Sequence, residues 1–274
     1  MRIRADGLSF SYPSGVRALQ DVTLIIEPGE AVALIGENGA GKTTLAKHLN
    51  GLLRPTSGEV WIGDWDTRTK TVAQLARRVA YVFQNPDDQL FERTVGSEVA
   101  FGPRNQGAAE PEIQARVKQA LERVGLRKLR ERNPYDLHAS QRKLVTLAAA
   151  LAMDTPVLVL DEPTTGQDGP GMRLVADLIE SLKSEGRTVI AITHDVDFCA
   201  EHFDRVMVLS AGRVLADGPA SQVLSQAAVL AQAAVEQPQL VRLSGALGWP
   251  GCPRTVEAFV ESLTAHRQGK DPHR

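Results

Sequence analysis

Short apolar runs rich in valine and isoleucine recur along the chain: "AVALIG" (31–36), "VAYVF" (79–83), "VLVLD" (157–161), "TVIAIT" (188–193) and "RVMVL" (205–209). Between them lie longer segments with helical spacing, near 41–52, 111–124, 140–153 and 171–185. Runs without a polar face predict strands buried on both sides, and their alternation with helices predicts a mainly parallel sheet between helical layers. The opening "IRADGLSFSYPSGVRALQDVTLII" and the later "GEVWIGDWD" are punctuated by turn residues and read as antiparallel strands flanking that sheet. After "GRVLADGPASQVL" the strands stop, and 219–274 reads as Ala- and Gln-rich helix broken by Pro and Gly, ending in a polar, frayed tail. The predicted organisation is an α/β domain over 1–218 with a small helical extension over 219–274.

Charge narrows the partners. With 31 basic against 33 acidic residues the net charge is −2, which gives no general attraction to nucleic acid or to an anionic membrane surface. Binding must come from local sites. Cys199 and Cys252 lie far apart with no paired spacing and read as buried thiols of a reducing compartment. The start, "MRIRADGLSF", has no apolar core of signal-peptide length, and no stretch reaches the roughly 18–20 apolar residues a membrane helix needs. A cytosolic chain is expected, with any membrane role peripheral.

The most specific motif is "GENGAGKTT", made of Gly36, Glu37, Asn38, Gly39, Ala40, Gly41, Lys42, Thr43 and Thr44. It follows an apolar strand and opens a helix, the setting a phosphate-binding loop requires. The three glycines let backbone N–H groups turn inward around an anion. Lys42 is placed to reach the β- and γ-phosphates and Thr43 to join a Mg²⁺ shell. Downstream, "PVLVLDEPTTGQD" delivers Asp161 and Glu162 at the C-terminal end of a strand, where ligands of a parallel sheet collect. Asp161 suits the metal and Glu162 the polarising of an attacking water. A lone acid at a strand end is commonly a helix cap; two in series below a nucleotide loop point to hydrolysis.

From about residue 3 to 218 the chain resembles the nucleotide-binding subunit of an ATP-binding-cassette (ABC) transporter, with the motifs in that family's order. The resemblance implies a P-loop ATPase fold with an antiparallel β subdomain and a helical signature subdomain. It also implies MgATP as ligand and roles for five further positions. Tyr12 in "FSYPSG" matches the aromatic that stacks on adenine, and Gln84 in "VFQNP" the hinge-loop glutamine at the metal. His194 in "ITHD" matches the switch histidine at the γ-phosphate, and Asp168 in "TTGQD" the aspartate of a loop that crosses to a partner subunit. The fifth is the family signature, normally Leu-Ser-Gly-Gly-Gln, which closes over the ATP of the facing subunit. Its place is taken by Leu137, His138, Ala139, Ser140 and Gln141. Two glycines have gained a Cβ and an imidazole replaces the hydroxyl. Gln167 departs as well, standing where the family usually has an apolar residue.

A narrower likeness lies in "YVFQNPDDQLFERTVGSEVAFGPRN" and in "LVRLSGALGWPG" followed by "TVEAFVESL", which resemble the ATPases of energy-coupling factor importers for vitamins and metal ions such as cobalt. Phe83, Leu90, Phe91 and Phe101 supply apolar anchors, and Asp87, Asp88 and Glu98 acceptors, for a basic helix of a membrane partner. The implied protein is an ATPase at the cytoplasmic face of the cell membrane. It pairs with a second ABC ATPase, a heterodimer being favoured over a homodimer because of the altered signature. It also docks on a membrane-embedded transporter subunit that carries a substrate-binding component. The rivals are another importer class, a soluble ABC protein working on DNA or ribosomes, an exporter, and a plain P-loop kinase or switch. No basic face, coiled-coil insertion or second cassette supports the soluble reading. The cargo is chosen by a component outside this chain.

Overall fold

The computed structural model describes residues 1–249 and 252–267; the polar end of the tail, 268–274, lies outside the described residues. Two long strands, β1 (Ile3–Ser11) and β2 (Arg17–Ile26), precede β3 (Ala31–Ile35) and helix α1 (Lys42–Leu49). β4 (Ser57–Ile62), β5 (Trp65–Asp66) and the single turn α2 (Val72–Leu75) lead to β6 (Val79–Val82). A helical layer follows, formed by α3 (Val95–Asn105), α4 (Glu110–Arg123) and α5 (Ala139–Ala152). Then come β7 (Val157–Asp161), α6 (Gly169–Ser184), β8 (Thr188–Ile192), α7 (Val196–His202), β9 (Arg205–Ser210) and β10 (Arg213–Pro219). The described chain ends in α8 (Ala220–Val223), α9 (Ala227–Gln232), α10 (Gln239–Ala246) and α11 (Val256–Arg267).

The central sheet has the order β10-β9-β3-β8-β7-β6, parallel except for β10 on its edge. A second, antiparallel sheet has the order β2-β1-β4-β5. The apolar runs of the central strands divide their side chains between two cores by simple alternation. In β3, Ala31, Ala33 and Ile35 face the helices α3 to α6, while Val32 and Leu34 face α1 and the antiparallel sheet. β7 repeats the division with Leu158 and Leu160 against Val157 and Val159. The predicted architecture is therefore the one found.

The periodicity reading omits α2, α3 and α7 and overruns α1. α1 stops at Leu49, three residues short of the expected limit, because Gly51 takes φ +76° and turns the chain. α3 was hidden in sequence by Gly96, Gly102 and Pro103. Its start is secured by Thr94, whose hydroxyl accepts from Ser97 N–H at 3.1 Å while Ser97 Oγ accepts from Thr94 N–H at 3.2 Å. Among the described residues no helix is long and apolar enough to cross a membrane.

Candidate functional site

The C-terminal ends of β3, β6, β7 and β8 open on one edge of the sheet, and the chemistry gathers there. β3 runs directly into the loop 36–41. Gly36 has φ +149° and a Cβ there would lie 2.1 Å from the Leu209 carbonyl; at Gly41, φ +104°, it would lie 2.6 Å from the Ala18 carbonyl. No other residue fits either position. No side chain caps α1, so its first N–H groups, which have no intrahelical partner, are left for an anion. Lys42 folds back across the loop and donates to the carbonyls of Gly36 (2.7 Å) and Glu37 (2.9 Å). Burial lowers its pKa, and the nearby Glu162 and Asp161 carboxylates oppose that shift.

Below the loop, one carboxylate oxygen of Asp161 accepts from Thr43 Oγ1 (3.1 Å) and from the Tyr81 hydroxyl (2.8 Å). Burial pushes the Asp161 carboxyl above the usual range, and those two donors pull it back. Glu162 is 6% exposed, and its Oε2 lies 2.9 Å from Nδ1 of His194, a ring that stays 70% exposed. Glu162 also holds φ +50°, fixed by its N–H to the Ile192 carbonyl at 2.8 Å. A left-handed conformation costs a non-glycine residue about 1–2 kcal/mol, and such strain clusters at working sites. A cavity of about 360 Å³ is lined by Tyr12, Asn38, Gly39, Gly41, Lys42, Thr43, Thr44, Gln84, Asp161 and Glu162. A second, of about 440 Å³, is lined by Gly36, Glu37, Asn38, Gln84, Glu162 and His194. Tyr12 stands at the first cavity, its hydroxyl 3.0 Å from Thr44 Oγ1. Ala40 is buried beneath the loop.

No group of three or more His, Cys, Asp or Glu side chains gathers among the described residues. The oxygen set here is a hydroxyl, one carboxylate and the Gln84 amide on one cavity, which suits a hard cation completed by phosphate oxygens and water rather than an all-protein cage.

The signature positions and Asp168 line neither cavity. Leu137 is buried, whereas His138 and Ala139 are exposed where α5 begins, with Gln141 Oε1 accepting from His138 N–H at 3.3 Å. Asp168 caps α6 through Gly171 N–H at 2.9 Å. The two unusual positions touch: Gln167 Nε2 donates to the Ser140 carbonyl at 3.2 Å.

The docking expectation needs correction at three residues. Glu98 is 3% exposed and its Oε2 already accepts from the N–H groups of Phe91 (2.9 Å) and Glu92 (2.8 Å), so it offers nothing to a partner. Asp87 is paired with Arg142 at 3.1 Å, and Leu90 is buried. Phe91 and Phe101 remain, 58% and 39% exposed and packed edge to face with ring centres 4.7 Å apart, together with the exposed Asp88 and the partly buried Phe83.

Three participants escape the sequence reading. Tyr81 lies inside a strand and looks like core. Lys143 is buried on α5, where a lysine four residues before Leu147 on an apolar face was the available signal. The third is the segment after α9. The Ala233 carbonyl accepts from Glu37 N–H at 3.1 Å, and Ala234, Val235 and Glu236 line the second cavity. A backbone contact of this range leaves no mark in sequence.

Fold and site together define a P-loop ATPase of the ATP-binding-cassette type. Residues 19–165 match the family model "ABC transporter". The chain is 43% identical over 258 residues to the cobalt import ATP-binding protein CbiO of Rhodobacter capsulatus, covering 93% of this chain and 92% of that protein. It is 40% identical over 256 residues to the energy-coupling factor transporter ATP-binding protein EcfA of Methanothermobacter thermautotrophicus, covering 93% and 82%. Among solved structures it is similar to CbiO1 of Clostridium perfringens, part of the ABC transporter complex CbiONQ, with a TM-score of 0.75, 34% identity and coverage of 89% and 98%. It is also similar to a dimeric ATP-binding cassette in a post-hydrolysis state with ADP and Pi, with a TM-score of 0.71, 27% identity and coverage of 80% and 98%. The chain belongs to the ABC transporter family of ATPases.

Proposed function

We propose that the chain is the MgATP-hydrolysing subunit of an energy-coupling factor importer for vitamins or transition-metal ions. It works as a peripheral protein at the cytoplasmic face of the membrane, with 1–218 as its ATPase domain and 219–274 as an extension. The observation that carries this reading is the convergence of Lys42, Thr43, Gln84, Asp161 and Glu162 on one cavity under the phosphate loop, with His194 against Glu162. The names of the relatives support the importer class.

In this reading the loop 36–44 cradles the phosphates, Lys42 leaves its carbonyl partners for the β- and γ-phosphates, and Tyr12 carries the adenine. Thr43, Asp161 and Gln84 would hold a Mg²⁺, which would supply positive charge at the phosphates. Glu162 takes the proton of the attacking water, and His194 turns from Glu162 to the γ-phosphate. Asp168 and the signature, Leu137 to Gln141, serve the facing subunit. Because this signature has lost its glycines while the chain's own loop and acids are intact, the partner is a second, similar ATPase with a working signature. Phe91 and Phe101 dock on the membrane-embedded subunit.

Purification from the native membrane through a tag on this chain should bring down a second ABC ATPase and integral membrane subunits together. Recovery of a homodimer alone, with no membrane protein, would overturn the heteromeric importer. Within that complex Lys42→Ala should weaken MgATP about 10- to 100-fold, the loss of one hydrogen bond to a charged group. Unchanged affinity by calorimetry at this site would displace the phosphate loop from Gly36 to Thr44.

A further inference from the structure

Lys143 is 5% exposed, and its ammonium is saturated. Its three donors go to the carbonyls of Phe83 (3.0 Å), Gln84 (2.6 Å) and Asp161 (3.0 Å). Those acceptors belong to the ends of two paired strands. Val82 and Leu160 are the last register partners of β6 and β7 before the chains part, one toward the segment that begins at Gln84, the other toward Asp161 and Glu162. The lysine spans that parting from a third element, α5, four residues from the exposed start of the signature helix at Ala139.

The segment after β6 is tied to the helical layer at other points: Arg142 to Asp87 at 3.1 Å, Gln89 Nε2 to the Thr146 carbonyl at 3.5 Å, and the Tyr135 hydroxyl to the Leu90 carbonyl at 2.7 Å. Each of these joins that segment to its own helical neighbours. Lys143 alone among them also holds β7. Burying an ammonium is costly unless its hydrogen bonds are met, and an apolar side chain here would leave three carbonyls without their donor. The charge is therefore matched to the three carbonyls rather than to packing.

We infer that Lys143 is a positioning residue that links the end of the metal-bearing strand and the Gln84 hinge to the signature helix, so that movement of Gln84 on nucleotide binding and release is passed to α5. This rests on the reading of Gln84 and Asp161 given under Proposed function. The lysine touches no substrate atom; it acts through the backbone of Gln84 and Asp161. Its role is to keep the backbone of Gln84 and of Asp161 tied to the signature helix.

The test compares the intact complex carrying Lys143→Met, Lys143→Arg or the native lysine. MgATP affinity, steady-state hydrolysis, thermal midpoint and amide exchange over 84–92 with and without MgATP are measured. Lys143→Met should keep MgATP affinity within about threefold, since the phosphate loop is untouched. Its hydrolysis should fall up to about 10²-fold, the scale of loss when reacting groups are misplaced by a change away from the chemistry. The MgATP-dependent change in exchange at 84–92 should vanish, and Lys143→Arg should restore part of both. Wild-type hydrolysis with that change intact in Lys143→Met overturns the inference. So does loss of affinity, midpoint and hydrolysis together with no rescue by arginine, which marks plain structural support. If the methionine variant does not fold, Lys143→Gln is read in the same way. Absence of MgATP binding or of any exchange response in the native complex would instead refute the reading of Gln84 and the phosphate loop.

Discussion

Glu162→Gln is expected to leave ATP bound and to slow steady-state hydrolysis at this site about 10²- to 10⁴-fold, the contribution typical of a positioned general base. The substitution preserves the shape of the side chain, and the left-handed backbone at this position, φ +50°, is set by the Ile192 hydrogen bond and not by the carboxylate. Gln can still meet His194 Nδ1 and Thr165 Oγ1, which now lie 2.9 Å and 3.3 Å from Oε2, so the pocket should not collapse. What it cannot do is accept a proton from water. Nucleotide retention by filtration and phosphate release by the assembled transporter separate the two effects. Because the proposed heterodimer would hold two composite sites, the measurement is made with the partner's own phosphate-loop lysine replaced. Wild-type turnover in that background would place the base elsewhere.

How much of this was legible in sequence depended on range. The phosphate loop, Asp161, Glu162 and His194 could be read because each follows directly on an apolar strand, and a parallel sheet sends all such strand ends to one edge. Residues whose role comes from distant contacts could not. Glu98 reads as an acceptor for a partner helix, yet it is buried as the acceptor for two loop N–H groups. α3 carries no helical signal because of its glycines, but they serve packing: a Cβ on Gly102 would lie 2.5 Å from Met153 Cγ, and one on Gly96 2.8 Å from Arg130 Cγ. Tertiary fit overrode propensity there. The same holds for Lys143 and Ala233, whose partners lie on elements far along the chain.

Changing His138, Ala139 and Ser140 to Ser-Gly-Gly should raise hydrolysis by the isolated chain, which is expected to be feeble. In the proposed reading the signature acts across the interface, so in a self-pair the present residues would weaken both sites. His138 has φ −63° and ψ 155°, extended backbone that a serine adopts as readily, so no strain opposes the first change. Glycine at Ala139 and Ser140, in the first turn of α5, costs up to about 1 kcal/mol of helix propensity at each. The gain is larger. A preorganised donor to developing oxyanion charge contributes about 10²–10³ in turnover, and removing two Cβ atoms lets the helix start approach the phosphate. Gln167 does not obstruct the change, because it holds the Ser140 carbonyl, which glycine keeps. In the native pair the same replacement should speed hydrolysis at the partner's phosphate loop and leave the site built on Gly36 to Thr44 as it was, since that site depends on the partner's signature. Vigorous, cooperative hydrolysis by the unmodified chain alone, or a loss of activity on replacement, would make the histidine version a working signature and remove the need for a second ATPase.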